Sequence, residues 1–336
     1  MGMFPLKKRL KFTSIIGGFA MMATAALVAS PAAQAHSTMF SQGGINATGG
    51  VTSITGAAGG GLNPLAFIGG YETDDQIGGT AFYSHDIAGS YSLNAGGALI
   101  GFYNRVEVSV ARDNFDLGNP GASLGLGSDF NLEQNVISVK ARLFGNPVYD
   151  QESLEPVVSV GLQYHENVSA AFPGTNRNIV DVLGAHPDGT SFYIVATKLW
   201  LDGLFGHYTV LSAGLNVTNA NDEGLLGFGG TNAVGQYKSG YHVEPFVTAA
   251  YFLNRKVAIG GEYRDEPSFP VGVGAGLNLN QGGAWKDLFL AYFPNKNLSI
   301  TAAYVDLGTI GNAVSGGKVI DVKNSNGLYL SLTAYF

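Results

Sequence analysis

The chain has 336 residues, with 25 acidic and 18 basic side chains, a formal net charge of −7 at pH 7, and 49 glycines, 20 phenylalanines and 16 tyrosines. The acidic balance argues against nucleic acid as a partner, and the absence of cysteine excludes disulfide staples and thiolate metal sites. Only 13% of residues are charged, so the composition departs from that of an average soluble domain and leaves a transmembrane β architecture open.

The chain begins with Lys7, Lys8, Arg9 and Lys11, followed by a small, apolar run from about Ile15 to Ala29. Ala33-Gln34-Ala35 then fits an A-x-A cleavage pattern, which predicts a secretory signal peptide over 1–35 with cleavage after Ala35. The mature chain would keep 14 basic and 25 acidic residues, a formal charge of −11. No later apolar run approaches the roughly 18 residues of a membrane helix. Residues 36–49 are polar and glycine-rich, which suits a periplasmic or lumenal segment that could fold inward. Residues 50–336 read as a barrel.

Candidate strands fall near 50–56, 64–72, 78–87, 91–103, 105–114, 135–145, 155–166, 191–200, 206–218, 241–253, 256–265, 286–294, 298–307 and 326–336. From residue 166 onward the gaps alternate long and short, as an up-and-down barrel with tight periplasmic turns and longer extracellular loops requires. Placing Phe336 at the periplasmic end puts the long gaps outside. The expected fold is therefore an all-β, antiparallel up-and-down transmembrane barrel of about 14 strands. The alternative is 12, should the glycine-rich start not belong to the wall. A wall of 14 strands has a diameter on the order of 28 Å and leaves a bore of roughly 15 Å before any plug.

A hairpin unit recurs. "TAAYFLNRKVAIGGEYRD" from Thr248 is echoed by "FLAYFPNKNLSITAAYVD" from Phe289 and more faintly by "IGFYNRVEVSVARD" from Ile100. Each unit runs from an apolar strand into an aromatic pair, then a short turn with Asn and a cation. Phe102-Tyr103, Tyr251-Phe252, Tyr292-Phe293 and Tyr335-Phe336 are those pairs, and with Phe144 and Trp200 they predict an aromatic girdle at one membrane interface.

Period-two alternation assigns the faces. In the last strand Leu328, Leu330, Leu332, Ala334 and Phe336 face outward, leaving Tyr329, Ser331, Thr333 and Tyr335 inside. Applied along the chain, the same rule lines the lumen with Arg105, Glu107, Lys140, Arg142, Gln163, His165, Lys198, Glu244, Glu262, Arg264 and Asp287. Arg or Lys on the lipid face near mid-membrane would cost about 2–4 kcal/mol, which drives Lys140, Arg142 and Arg264 inward. Charges of both signs serve either a constriction that sorts solutes by charge or a ladder of salt bridges that fills the lumen. Phe192, Phe246, Phe289 and Phe293 would add an apolar path.

Other chemistry is sparse. "GAAGGGLNP" at Gly56 lacks the Lys-Ser/Thr of a phosphate loop and reads as turn and close backbone approach. The histidines show no metal spacing. His165-Glu166 is the one candidate dyad for an outer-membrane hydrolase, and Asp222-Glu223 and Asp265-Glu266 read as solvated loop acids. No cofactor, metal or catalytic constellation is expected, and the chain is not read as an enzyme.

The terminal strand with Phe336 and alternate apolar residues behind it resembles outer-membrane β-barrel proteins generally. Tyr335-Phe336 looks like the signal read by the barrel-assembly machinery, with Ala334 where an aromatic is common. "GGVTSITGAAGGGLNPLAFIGGY", "VEVSVARDNFDLG" and "VSVGLQYHEN" resemble an uncharacterised proteobacterial family, a domain of unknown function grouped with outer-membrane barrels. The resemblance covers nearly the whole mature chain. It implies a fold and a place in the outer membrane, among lipid and lipopolysaccharide, but no activity. The leading function is a porin-like channel or transporter for small solutes. The alternatives are a hydrophobic-compound transporter with an N-terminal hatch, a structural or surface-binding barrel with a filled lumen, and a hydrolase.

Overall fold

Twelve antiparallel strands close on themselves. In the computed structural model, which describes residues 43–123, 125–232, 234–272, 278–280, 283–308, 310–315, 318–321 and 325–336, they are β1 Ile77–Ala88, β2 Tyr91–Phe102, β3 Val106–Asp116, β4 Asn131–Phe144, β5 Val157–Asn167, β6 Asp188–Trp200, β7 Thr209–Thr218, β8 His242–Asn254, β9 Val257–Arg264, β10 Trp285–Asn295, β11 Leu298–Asp306 and β12 Asn326–Tyr335. The expected signal peptide and cleavage site, and residues 36–42, lie outside the described residues. Each strand pairs with its sequence neighbours, and β1 pairs with β12 from Thr80↔Tyr335 to Ala88↔Gly327.

The twelve later strand expectations all lie in the wall. The first two do not: 50–56 and 64–72 lie inside the lumen, so the count is 12 and the wall begins at Ile77. A 12-strand wall has a backbone diameter of roughly 24 Å, narrower than the 14-strand estimate.

Connections at the Phe336 end are short. Between β2 and β3 only Tyr103, Asn104 and Arg105 intervene; Tyr103 and Asn104 have φ of 54° and 50°, and Arg105 N–H donates to the Phe102 carbonyl at 2.9 Å. Two positive φ values at the central positions of the 102–105 turn match type I′ geometry, whose twist suits the flanking strands. Residues 255–256 and 296–297 form the other tight turns at this end, while 145–156 and 201–208 are longer. At the opposite end the gaps 117–130, 168–187, 219–241, 265–284 and 307–325 are long, and only the Gly89-Ser90 hairpin is tight.

The exterior is apolar. Val106, Val108, Val139, Leu162, Leu211, Val247, Ile259, Leu290, Leu328, Leu330 and Leu332 are all exposed on alternating outward positions. Isolated exposed apolar residues need no explanation, but a belt around the whole circumference exceeds what a soluble monomer shows. No helix among the described residues is long and apolar enough to cross a membrane. A closed barrel satisfies its backbone hydrogen bonds internally and so needs none.

Three of the four aromatic pairs are split by the wall, Phe102 instead sharing the outer face of Val106, its partner in register. Tyr103, Tyr292 and Phe336 lie outside with Phe144 and form the expected belt. Phe252, Phe293 and Tyr335 turn inward: Phe252 stacks on Phe293 at 5.9 Å, and Tyr335 meets Tyr71 at 4.4 Å.

Candidate functional site

Residues 46–71 fold into the barrel as a compact hatch in which nearly every side chain is buried. Its own hydrogen bonds are few and local, such as Ser53 N–H to the Ala57 carbonyl and Leu65 N–H to the Ala58 carbonyl. Buried backbone groups left over need partners, and the polar inner wall supplies them.

Two carboxylates do most of this. Glu107 on β3 accepts from Ala58 N–H at 3.0 Å and Gly69 N–H at 2.9 Å, and pairs with Lys140 of β4 at 3.1 Å. The Lys140 ammonium in turn donates to the Ala58 and Leu65 carbonyls. Across the lumen, Glu262 on β9 accepts from Leu62 N–H at 2.8 Å, Asn63 N–H at 3.3 Å and the Thr248 hydroxyl at 2.9 Å. Asn63 also donates to the Val247 and Tyr263 carbonyls. Ser159, Thr197 and Gln163 complete the grip through the Ala66 carbonyl, the Ala66 N–H and the Thr55 hydroxyl. The glycine-rich stretch is close backbone approach, as expected: a side chain at Gly60 would overlap the Glu262 carboxylate.

The hatch leaves the lumen through Gly70 and Tyr71, with φ of 113° and 60°. Tyr71 is a non-glycine residue in the left-handed region, a conformation that persists only when its surroundings impose it. Glu72 follows, 5% exposed, with neither carboxylate oxygen hydrogen-bonded. Burial pushes its pKa up to about 8, and the nearby Glu107 adds to the rise. Asp74 then meets Arg142 of β4 at 2.9 Å.

The opposite end is capped by the loop after β7. Residues 219–230 are buried, not solvated, contrary to the expectation for Asp222-Glu223. Glu223 pairs with Arg264, which also holds Glu266 at 2.7 Å, so Glu266 too is a buried partner. Burial raises Asp222 to about 7, with Glu266 contributing.

Of the expected lumen residues, Glu107, Lys140, Arg142, Gln163, His165, Glu262, Arg264 and Asp287 are buried and face inward. Asp287 accepts from the Glu262 backbone N–H at 3.1 Å. Two others differ from expectation, and a third, Glu244, keeps the inward parity but lies outside the gripping cluster. Arg105 is exposed at the β2–β3 turn. Lys198 has the outward parity of β6 and donates to the Asp150 and Glu155 carbonyls of the 145–156 connection. Glu244 stands at the mouth, 3.7 Å from His242, apart from the gripping cluster. Phe192 faces outward, whereas Phe246, Phe289 and Phe293 turn inward. His165 lies beneath Phe228, ring centroids 5.7 Å apart, and Glu166 is on the other face of β5, so the two make no dyad. Among the described residues no group of three His, Asp or Glu could hold a metal ion. Sequence reasoning missed Thr55, Asn63, Thr197 and Glu72. Their signal would have been the hatch, because each matters only once the glycine-rich stretch lies inside.

The family comparison fits this arrangement. Residues 48–333 match the model described as Protein of unknown function (DUF3034), which takes in the hatch as well as the wall. The chain belongs to this family. No curated protein matches it. Among solved structures it is similar to a NanC porin, at 9% identity over 77% of this chain and 99% of that one, with a TM-score of 0.47. It is also similar to an outer membrane channel from Pseudomonas putida F1, at 10% identity over 82% and 97%, TM-score 0.38. A third is the outer membrane protein Omp33 of Acinetobacter baumannii, at 10% identity over 77% and 95%, TM-score 0.35.

Proposed function

We propose that the protein is an outer-membrane channel for small polar solutes, closed at rest by its N-terminal hatch and opened when residues 46–71 shift within the lumen. The observation that carries this reading is the nature of the grip. The hatch backbone is held by hydrogen bonds to wall carboxylates and hydroxyls, while Val51, Ile54, Leu62 and Phe67 pack among apolar side chains of the inner wall. Water can replace such bonds group for group, so the polar part of the grip can be exchanged without leaving the backbone groups unsatisfied. A polar wall behind the hatch would then line the opened path.

The test uses the absence of native cysteine. Thr55→Cys with Gln163→Cys, replacing a hydrogen-bonded pair, is joined by a cleavable bifunctional thiol reagent. Wild-type protein in planar bilayers is expected to open intermittently, the tethered protein to stay shut, and cleavage of the tether to restore openings. A wild type silent at every potential, beside a conducting variant lacking 43–72, would leave a static, filled barrel as the correct description.

A further inference from the structure

The outer wall is not uniformly ridged. Four residues of β7 to β10 stand in register on the lipid side, Leu211, Ala249, Gly261 and Leu288. The flanking leucines are 53% and 72% exposed, while the central pair presents only a methyl group and a hydrogen. One row nearer the Phe336 end the corresponding residues are Thr209, Tyr251, Ile259 and Leu290. The result is a groove of about 900 Å³ whose floor is strand backbone and whose lining includes Trp200, Leu204, Leu211, Tyr251, Ile259 and Leu288. Its shape suits a flexible hydrocarbon chain.

The rim beyond the groove is basic. The β8–β9 turn carries Arg255 and Lys256, and the adjacent β10–β11 turn carries Lys296 between Asn295 and Asn297. Neither turn contains an acid. His207 packs on Tyr251 at 5.4 Å, extending the same rim. The acid on the neighbouring connection, Asp202, lies toward Gly206.

Resting on the membrane placement above, we infer that this groove and rim form a binding site for one anionic phospholipid, an acyl chain in the groove and the phosphate against the Arg255–Lys256 turn. The two features belong together because a phospholipid places its charge one headgroup beyond its hydrocarbon. A groove deepened by Ala249 and Gly261 holds a chain more closely than the smooth wall does, and each basic side chain near the phosphate strengthens binding about fivefold.

Trp200 reports on the site. The chain has two tryptophans, and Trp285 is buried inside the barrel, so Trp285→Phe leaves one fluorophore at the groove. In phosphatidylcholine vesicles, phosphatidylglycerol brominated on its acyl chains is expected to quench Trp200 at several-fold lower mole fraction than brominated phosphatidylcholine does. Arg255→Gln with Lys256→Gln should abolish the preference while quenching persists, and Ala249→Phe should abolish the high-affinity component by filling the notch. Equal quenching by both lipids, unchanged by Ala249→Phe, overturns the site but leaves the membrane placement intact. No quenching by either lipid in folded, vesicle-associated protein overturns that placement too. Loss of quenching with rising protein density, accompanied by cross-linked dimers, would assign the groove to a second copy of the chain instead.

Discussion

Glu107 and Glu262 sit on strands six apart in a ring of twelve, so they grip the hatch from opposite sides. Each offers a charged acceptor to two backbone N–H groups, and such bonds are stronger than neutral ones. Lys140 offsets the buried charge of Glu107. Removing one member of a buried pair costs on the order of 3–5 kcal/mol, whereas replacing both is far milder. Glu107→Gln or Lys140→Met alone should therefore loosen the hatch, seen as faster proteolysis within 46–71 in detergent. The double variant should be less affected than the two singles added together. Strict additivity would mean that the pair does not act as a unit. Glu72 gives a pH dependence of known sign. Its folded pKa of about 8 lies above the ordinary 4.5, so the folded state holds the proton more tightly than the unfolded state. The contribution is full below about pH 4.5 and is lost as pH rises through 8. Hatch protection should fall across that window, and Glu72→Gln, neutral throughout, should flatten the profile. A Gln variant with the wild-type profile would assign the dependence to another group, Asp222 being the next to consider.

At the scale of elements, the aromatic pairs couple wall to hatch. Because successive residues of a strand face opposite sides, two adjacent aromatics at a strand end anchor the exterior and the interior together. On β12, Phe336 lies outside against Gly79 while Tyr335 packs on Tyr71 where the hatch exits. The Phe336 backbone also closes the barrel, exchanging bonds with Gly79 at 2.9 and 3.0 Å. Phe336→Asp should lower the yield of heat-modifiable, protease-resistant barrel several-fold, and Tyr335→Ala should leave the barrel assembled but the hatch protease-sensitive. Equal assembly of wild type and Phe336→Asp would remove the closing strand from any role as an assembly signal. These elements were legible in the sequence because polar and apolar residues alternate so regularly, as in Val106, Glu107, Val108, Ser109. The failures have the same origin. In Ser191–Trp200 both parities are apolar, with Phe192 and Ile194 on one and Tyr193 and Val195 on the other, so alternation does not choose, and the inward expectation for Lys198 has no pattern to correct it. The hatch has no alternation at all, since a segment enclosed by the wall on every side has no solvent face to mark. Its short apolar pieces around Val51 and Phe67 therefore read as buried strands.

For the whole molecule, the question is what the inner charges are for. In an open pore, Lys140, Arg142 and Arg264 would act on passing ions through water, and changing all three to Gln would raise cation preference. In the observed arrangement each is engaged: Lys140 with Glu107 and hatch carbonyls, Arg142 with Asp74, Arg264 with Glu223 and Glu266. The same triple change would strand buried acids at both ends of the lumen, near the hatch and near the inward loop. The expected outcome is a markedly lower unfolding midpoint in detergent and earlier proteolysis of the hatch. Salt separates the cases further. Screening lengths fall to about 3 Å at 1 M, which would erase selectivity set by water-exposed charges but leaves desolvated pairs nearly untouched. A midpoint loss that persists at 1 M salt therefore fits charges that hold the hatch and cap in place. A wild-type midpoint together with a salt-sensitive shift toward cations would instead show a lumen already open to water, and the hatch would no longer be its gate.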